Sequence, residues 1–240
     1  MKSPTAMLLA LLALAGCETG AELTASDSYY GYESAAQLGA VRGRETVSLF
    51  SSDSAILSDA DVKRILEHRF SPRRQNKIGI LAIGQEYWFG WSDELARSGV
   101  EVQEKLVSKL RSSPLVHDAT YLPSLLIPEK RSVGHFREAG ARYQADLLLI
   151  YRAACRSYEK SQFFGPDNSK SFCNIEAVLL DTRTGIVPFA ATASRDSLAK
   201  RLETDFNLYE TMRRTELEAL ADALAELGEE VVAFLAAVRS

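Results

Sequence analysis

Polar and apolar positions divide the chain into a short apolar leader, a stretch without period, and a long C-terminal region where strand and helix patterns alternate. The first helical pattern follows Ser58, an N-cap residue ahead of Asp59, Asp61, Val62, Ile65 and Leu66, and predicts a helix running to about Arg69, before Pro72. Lys77 to Gly84 (KIGILAIG) is a continuous apolar run, which suits a central strand covered on both faces. Leu95, Val102, Leu106, Val107 and Leu110 share one helical face with Gly99, and Pro114 closes that segment. A short strand is expected over Leu115 to Tyr121 and a second helix over Arg131 to Ala145, with Val133, Phe136 and Ala139 inward. Three strands then follow: Asp146 to Tyr158, Ser171 to Asp181 and Ile186 to Arg195. Asp181-Thr182-Arg183-Thr184-Gly185 turns between the last two, with Gly185 taking the positive φ. Finally, Leu217, Leu220, Leu224, Leu227, Val231, Phe234 and Val238 recur at three-four spacing and predict a helix over about Thr211 to Arg239. That stripe is expected to pack across the sheet, since Gly228 in its middle makes a poor free-standing coiled coil.

The fold class read from this order is α/β (α+β): a mixed sheet of about five strands with helices packed on it, and a three-strand meander followed by a long helix. Composition agrees. Of 240 residues, 46% are hydrophobic and 25% charged, enough for one sizeable core. A net charge of -4 argues against nucleic acid as partner, because neutralising phosphates needs a surplus of Lys and Arg. Three Cys and three His, all scattered, supply no zinc, haem or iron-sulfur ligand set, so no cofactor and no metal is expected.

The leader gives the address. Met7 to Ala15 (MLLALLALA) has the length of a signal-peptide core and is well short of a bilayer span of about 20 residues. Leu14-Ala15-Gly16-Cys17 resembles the lipobox of bacterial lipoproteins. The resemblance implies a signal peptide over residues 1–16 and diacylglycerol and palmitate on Cys17, the first mature residue. It also implies, through Glu18, outer-membrane sorting, to the periplasmic face or the surface. Residues 17–50 read as a flexible tether, rich in Gly, Ala, Ser and Thr, with a reach of about 30 Å. Tyr29, Tyr30 and Tyr32 within it either bind a partner or fold back onto the domain. Residues 51–240 read as a single domain.

Two broader resemblances rest on the domain. The element order, with Ala145-Asp146-Leu147-Leu148-Leu149-Ile150 entering the meander and Asp181 to Gly185 turning it, resembles the periplasmic domain of three groups. These are the curli-secretion-type lipoproteins, the penicillin-binding-protein activator lipoproteins and the N-terminal domain of TolB. The lipobox and Phe50 to Leu66 (FSSDSAILSDADVKRIL) are similar to the rhombotarget lipoproteins.

Signatures of catalysis are missing: there is no nucleophile elbow, zincin pair, phosphate loop or dinucleotide fingerprint. Two Ser-x-x-Lys tetrads, Ser157 to Lys160 and Ser197 to Lys200, lack a Lys-Thr-Gly companion and are read as chance. His135 and Glu138 are read as a solvated helix face. Aromatic clusters are the candidates for partner binding. Tyr87, Trp88, Phe89 and Trp91 directly follow the first strand, and Phe163 and Phe164 lie within the meander. Rings of this kind either anchor an interface or roof the sheet edge as a satellite core. With Cys17 used by lipid, Cys155 and Cys173 are the remaining thiols, an even pair in an oxidising compartment. Setting them opposite each other on antiparallel strands also sets Arg152 opposite Glu176, and Ala153, Tyr151 and Leu149 opposite Ile175, Ala177 and Leu179. A disulfide there competes with two buried free thiols. The function expected is that of a non-enzymatic envelope lipoprotein that binds another envelope protein or assembles with itself. The alternative is a cell-wall hydrolase or transferase.

Overall fold

The computed structural model describes residues 49, 57–83, 93–160, 168–205 and 207–239. In chain order the elements are α1 (Asp59–Glu67), β1 (Asn76–Ala82), α2 (Asp93–Arg111), β2 (Val116–Tyr121), α3 (Val133–Arg142), β3 (Leu147–Lys160), β4 (Asn168–Asp181), β5 (Phe189–Lys200) and α4 (Leu208–Arg239), with a short 3-10 turn over Ser124–Leu126. Every element expected from the pattern is present, in the expected order.

The sheet is mixed and runs β2-β1-β3-β4-β5. β1 is central to the parallel part, paired with β2 on one side and β3 on the other. Its NKIGILA sequence is buried over most of its length because helices lie on both faces. β3, β4 and β5 form the antiparallel meander. Asp181 to Gly185 closes the last turn, where Gly185 sits at φ +75° and donates its N–H to the Asp181 carbonyl at 2.8 Å. A side chain at Gly185 would also meet Arg137 Cδ at 2.7 Å.

Two cores follow from the alternation of strand side chains. One face of the sheet carries Ile78, Ile80, Leu147, Leu149, Ile175 and Leu179 and is covered by α2 and α4. The expected α4 stripe is there, with Leu224, Leu227 and Val231 fully buried and Val238 at its exposed end. The opposite face carries Leu81, Leu148, Ile150 and Leu180 and is covered by α3 through Phe136 and Ala139. Leu49 packs on this second core, and its carbonyl accepts the Val133 N–H at 3.0 Å, so the chain is already docked before residue 51.

The caps agree with the residues. Ser58 Oγ accepts the Asp61 N–H, and Ser132 Oγ accepts the His135 N–H. α1 stands apart from the cores: it buries none of its residues.

The strands of the meander are longer than the hydrophobic pattern implies. The ladder between β3 and β4 continues to Lys160 opposite Asn168, through a region expected to be loop, and β5 runs on to Lys200. This end of the sheet and the first turns of α4 bury several small hydroxyl side chains. Ser157, Ser169, Ser171, Thr211 and Thr215 are all buried there, and Ser157 Oγ lies 2.8 Å from Ser171 Oγ.

Candidate functional site: the uncovered face of the meander

α3 is short, and it covers its face of the sheet only near the start of β3. The remainder of that face, over β3, β4 and β5, carries alternate residues outward. Strand register decides which side chains meet there. Arg152 is opposite Glu176, and Thr192 is the next in line on β5. Arg152 Nη2 lies 3.0 Å from Glu176 Oε2, with the two side chains 21% and 32% exposed.

This ion pair forms the floor of a cleft of about 410 Å³, whose described lining includes Leu49, Ile83, Ile150, Val178, Ala190 and Thr192. The walls are apolar and the floor is charged but paired. Such a site holds a ligand by shape and desolvation, with one polar contact to set its direction.

Farther along the same face, toward the end of the hairpin, three large apolar side chains are exposed: Tyr158 (39%), Phe172 (48%) and Leu198 (70%). They are neighbours, because Lys170 is opposite both Tyr158 and Leu198, and Phe172 is two residues along on the same face. Lys170 Nζ stands 5.2 Å from the centre of the Phe172 ring and 2.9 Å from Asp196 Oδ2. Ser194 Oγ donates to Asn174 Oδ1 at 2.6 Å. Apolar rings framed by paired charges are the composition of a protein-docking surface.

Cys155 and Cys173 are bridged, at a Cα separation of 4.1 Å, and are directly opposite in the ladder. The same register sets Arg152 against Glu176 and Tyr151 against Ala177, pair for pair as the sequence arithmetic requires. Cys17, Tyr87, Trp88, Phe89, Trp91, Phe163 and Phe164 lie outside the described residues. The signal that points to the bare face instead, Tyr158, Phe172 and Leu198, is weak in sequence. Each stands singly among polar residues and reads as ordinary strand alternation.

The described Ser-x-x-Lys residues are not brought together: Ser197 and Lys200 both lie on β5, where positions three apart point to opposite faces. Ser197 Oγ donates instead to Glu218 on α4, at 2.8 Å. His135 Nδ1 is 2.6 Å from its own N-cap, Ser132 Oγ. Among the described residues, no group of three or more His, Cys, Asp or Glu can hold a metal.

The described carboxyl groups with a displaced pKa, Asp61, Asp118, Asp205 and Glu229, all move down, away from the range of a general acid. Asp205 moves furthest, to about 2, chiefly through the hydrogen bonds from Arg214, with burial opposing and the Leu202 N–H and Thr211 hydroxyl adding to the shift. At Asp118 burial pulls upward and is outweighed by hydrogen bonds from Thr120 and Arg111. No described helix is long and apolar enough to cross a membrane.

No family model matches the sequence, and no curated protein matches it. Several solved structures are similar in shape at low identity. A hypothetical protein of Chlamydia trachomatis is 12% identical over 68% of this chain and 99% of its own, with a TM-score of 0.38. A minor lipoprotein of Acinetobacter baumannii is 8% identical over 66% of this chain and 94% of its own, at 0.34. A lipoprotein of Neisseria meningitidis is 12% identical over 68% of this chain and 99% of its own, at 0.30.

Proposed function

We propose that this protein is a non-enzymatic envelope lipoprotein, anchored in the outer membrane by acyl chains on Cys17, that binds a protein partner through the uncovered face of β3, β4 and β5. The observation that carries this reading is the group formed by Tyr158, Phe172 and Leu198, exposed side by side on a sheet face that α3 leaves bare. Full burial of an exposed side chain of this size is worth about 1.5 to 3 kcal/mol, and with Tyr158 and Phe172 already half-buried the remaining area is worth about 1 kcal/mol each, somewhat more for Leu198. The lipobox supports the anchor, and the likeness to the curli-secretion-type, penicillin-binding-protein activator and TolB domains and to the rhombotarget lipoproteins supports the envelope setting. The partner is another envelope protein or a second copy of the chain.

Two measurements test the two halves. Cys17→Ser is expected to remove the lipid mass from the N-terminal peptide and to release the protein from the membrane fraction; absence of that mass in the wild type refutes the anchor. A photo-crosslinking residue at position 172 is expected to give a discrete adduct in cells that Leu198→Glu abolishes. An adduct pattern unchanged by Leu198→Glu, or equal to that from exposed Glu229 on α4, refutes the docking face.

A further inference from the structure

The opposite end of the sheet, where β1 and β3 begin and β4 turns into β5, is basic in a chain of net charge -4. Arg73, Arg74 and Lys77 arrive with β1, Arg183 comes from the turn, and Arg137 reaches over from α3. Two acids at this end, Asp146 and Asp181, are inside, Asp146 with its side chain 14% exposed and Asp181 8% exposed as a residue, while Asp118, opposite Lys77 on β2, is more exposed and is held by Arg111.

Their burial sorts the charges. Asp146 Oδ1 holds Arg73 Nη1 at 3.1 Å and Arg183 Nη2 at 3.3 Å, while Oδ2 accepts the Lys77 N–H at 3.1 Å. Asp181 is used by its own turn, accepting from the Arg183 N–H at 3.0 Å and the Thr184 hydroxyl at 2.6 Å. The two guanidinium groups on Asp146 stay more than half exposed, at 57% and 59%. Arg137 is fixed by the Thr182 and Arg183 carbonyls, so its charge has no carboxylate partner among the described residues. The exposed Arg74 side chain has no carboxylate partner among the described residues, and its carbonyl accepts from Arg239 Nη1 at 3.3 Å. Flanking charges are balanced: Arg142 pairs with Glu138, and Arg111 with Asp118. The surface therefore presents cations outward over buried anions, in fixed positions.

We infer that this basic end docks on anionic phospholipid head groups, so that the anchored protein is oriented with the start of β1 toward the bilayer and the bare meander face and hairpin end free for a partner. The inference deepens the lipoprotein reading and rests on it for the nearby membrane. The tether reading of residues 17–50 gives a reach of about 30 Å, long enough for the acyl group and the basic end to meet the same bilayer. The patch is made of strand starts and a turn: Arg73 and Arg183 lean on one buried carboxylate with more than half of each side chain exposed, Arg137 is held by backbone carbonyls and Lys77 by the Tyr143 carbonyl, so several cations share little neutralising charge and can meet several head groups. Each such cation contributes about a fivefold gain in partitioning onto an anionic surface. The acids that flank the patch, Asp118 and Glu138, are already engaged by Arg111 and Arg142, so they do not cancel the contact.

The test uses residues 18–240 without acyl chains, which contain every described element. Flotation is measured with phosphatidylcholine vesicles, with and without phosphatidylglycerol. Binding is expected only with phosphatidylglycerol, and it should weaken as salt rises through about 0.1 M. Arg74→Glu, which breaks no side-chain ion pair, should lower the partition coefficient about fivefold or more, and Arg74→Glu with Arg183→Glu should lower it further. Lys200→Glu, the same charge change at the far end of β5, should leave it unaltered. Equal binding to both vesicle types, equal loss with Lys200→Glu, or displacement by inorganic phosphate at matched ionic strength overturns the inference. Because the chain in this assay carries no lipid, its failure is separate from a failure to find lipid on Cys17.

Discussion

Asp205→Asn tests how the connection from β5 into α4 is held. Asp205 is 8% exposed and accepts four hydrogen bonds: from the Leu202 N–H at 2.8 Å, the Thr211 hydroxyl at 2.7 Å, and Arg214 Nη1 and Nη2 at 2.5 and 3.0 Å. These hold its pKa at about 2, against an ordinary 3.8. At about 1.4 kcal/mol per unit, the fold favours the charged form by about 2 kcal/mol. Because the folded pKa is the lower one, this stability is complete above the ordinary carboxylate range and is lost as pH falls from about 4 through about 2.

Asparagine keeps the shape and the two neutral hydrogen bonds, and it removes the charge facing the Arg214 guanidinium, which is 21% exposed. Urea unfolding followed by circular dichroism should show the variant about 2 kcal/mol less stable at pH 7. The gap should narrow as pH approaches 2, where the wild-type carboxyl is itself about half protonated. A gap that is the same at pH 7 and pH 2.5, or one below about 0.5 kcal/mol at pH 7, refutes the assignment of that stability to the Asp205 charge.

Gly228→Ala should destabilise although alanine is the better helix former by about 1 kcal/mol, because a β-carbon there would sit 2.7 Å from Lys109 Cβ and 3.4 Å from Leu106 Cδ1, forcing α2 off α4 at a cost of about 1 to 3 kcal/mol. A rise in the thermal midpoint would show that the helices have room to spare. Cys155→Ser combined with Cys173→Ser should cost about 3 kcal/mol, the chain-entropy value for a bridge of sequence separation 18, and mass spectrometry of the unreduced wild type should find neither thiol alkylatable. Two alkylatable thiols would remove the bridge, and an unchanged midpoint would remove its stabilising role.

Local chemistry carried much of this fold in legible form. Ser58 and Ser132 marked helix starts, Gly185 marked the only glycine turn with positive φ among the described residues, and the continuous apolar run from Lys77 marked a strand buried on both faces. The period of two, joined to one cysteine pair and one pair of opposite charges, was enough to set the β3–β4 register, since a single slip would have turned every side chain to the wrong face. Other features had no local sign. α3 ends with Gln144 at φ 57°, a position where sequence reading looks for glycine, and the Ala145 N–H closes the helix on the Gly140 carbonyl at 2.9 Å.

Tertiary packing alone decided the rest. Hydrophobic patterns say that a helix has one apolar side, not which sheet face will receive it, so the placement of α2 and α4 together and of α3 alone came from the finished sheet. That placement is what leaves Phe172, Tyr158 and Leu198 bare. The hairpin extension was hidden for the same reason: serines next to polar residues read as loop, and their burial shows only once α4 lies against the meander. The charges behave alike. In sequence Arg73, Arg74 and Lys77 stand as a short basic run, and only the fold adds Arg183 and Arg137 to it and draws Asp146 and Asp181 inward, because burial removes an acid from the surface while its arginine partners extend to water.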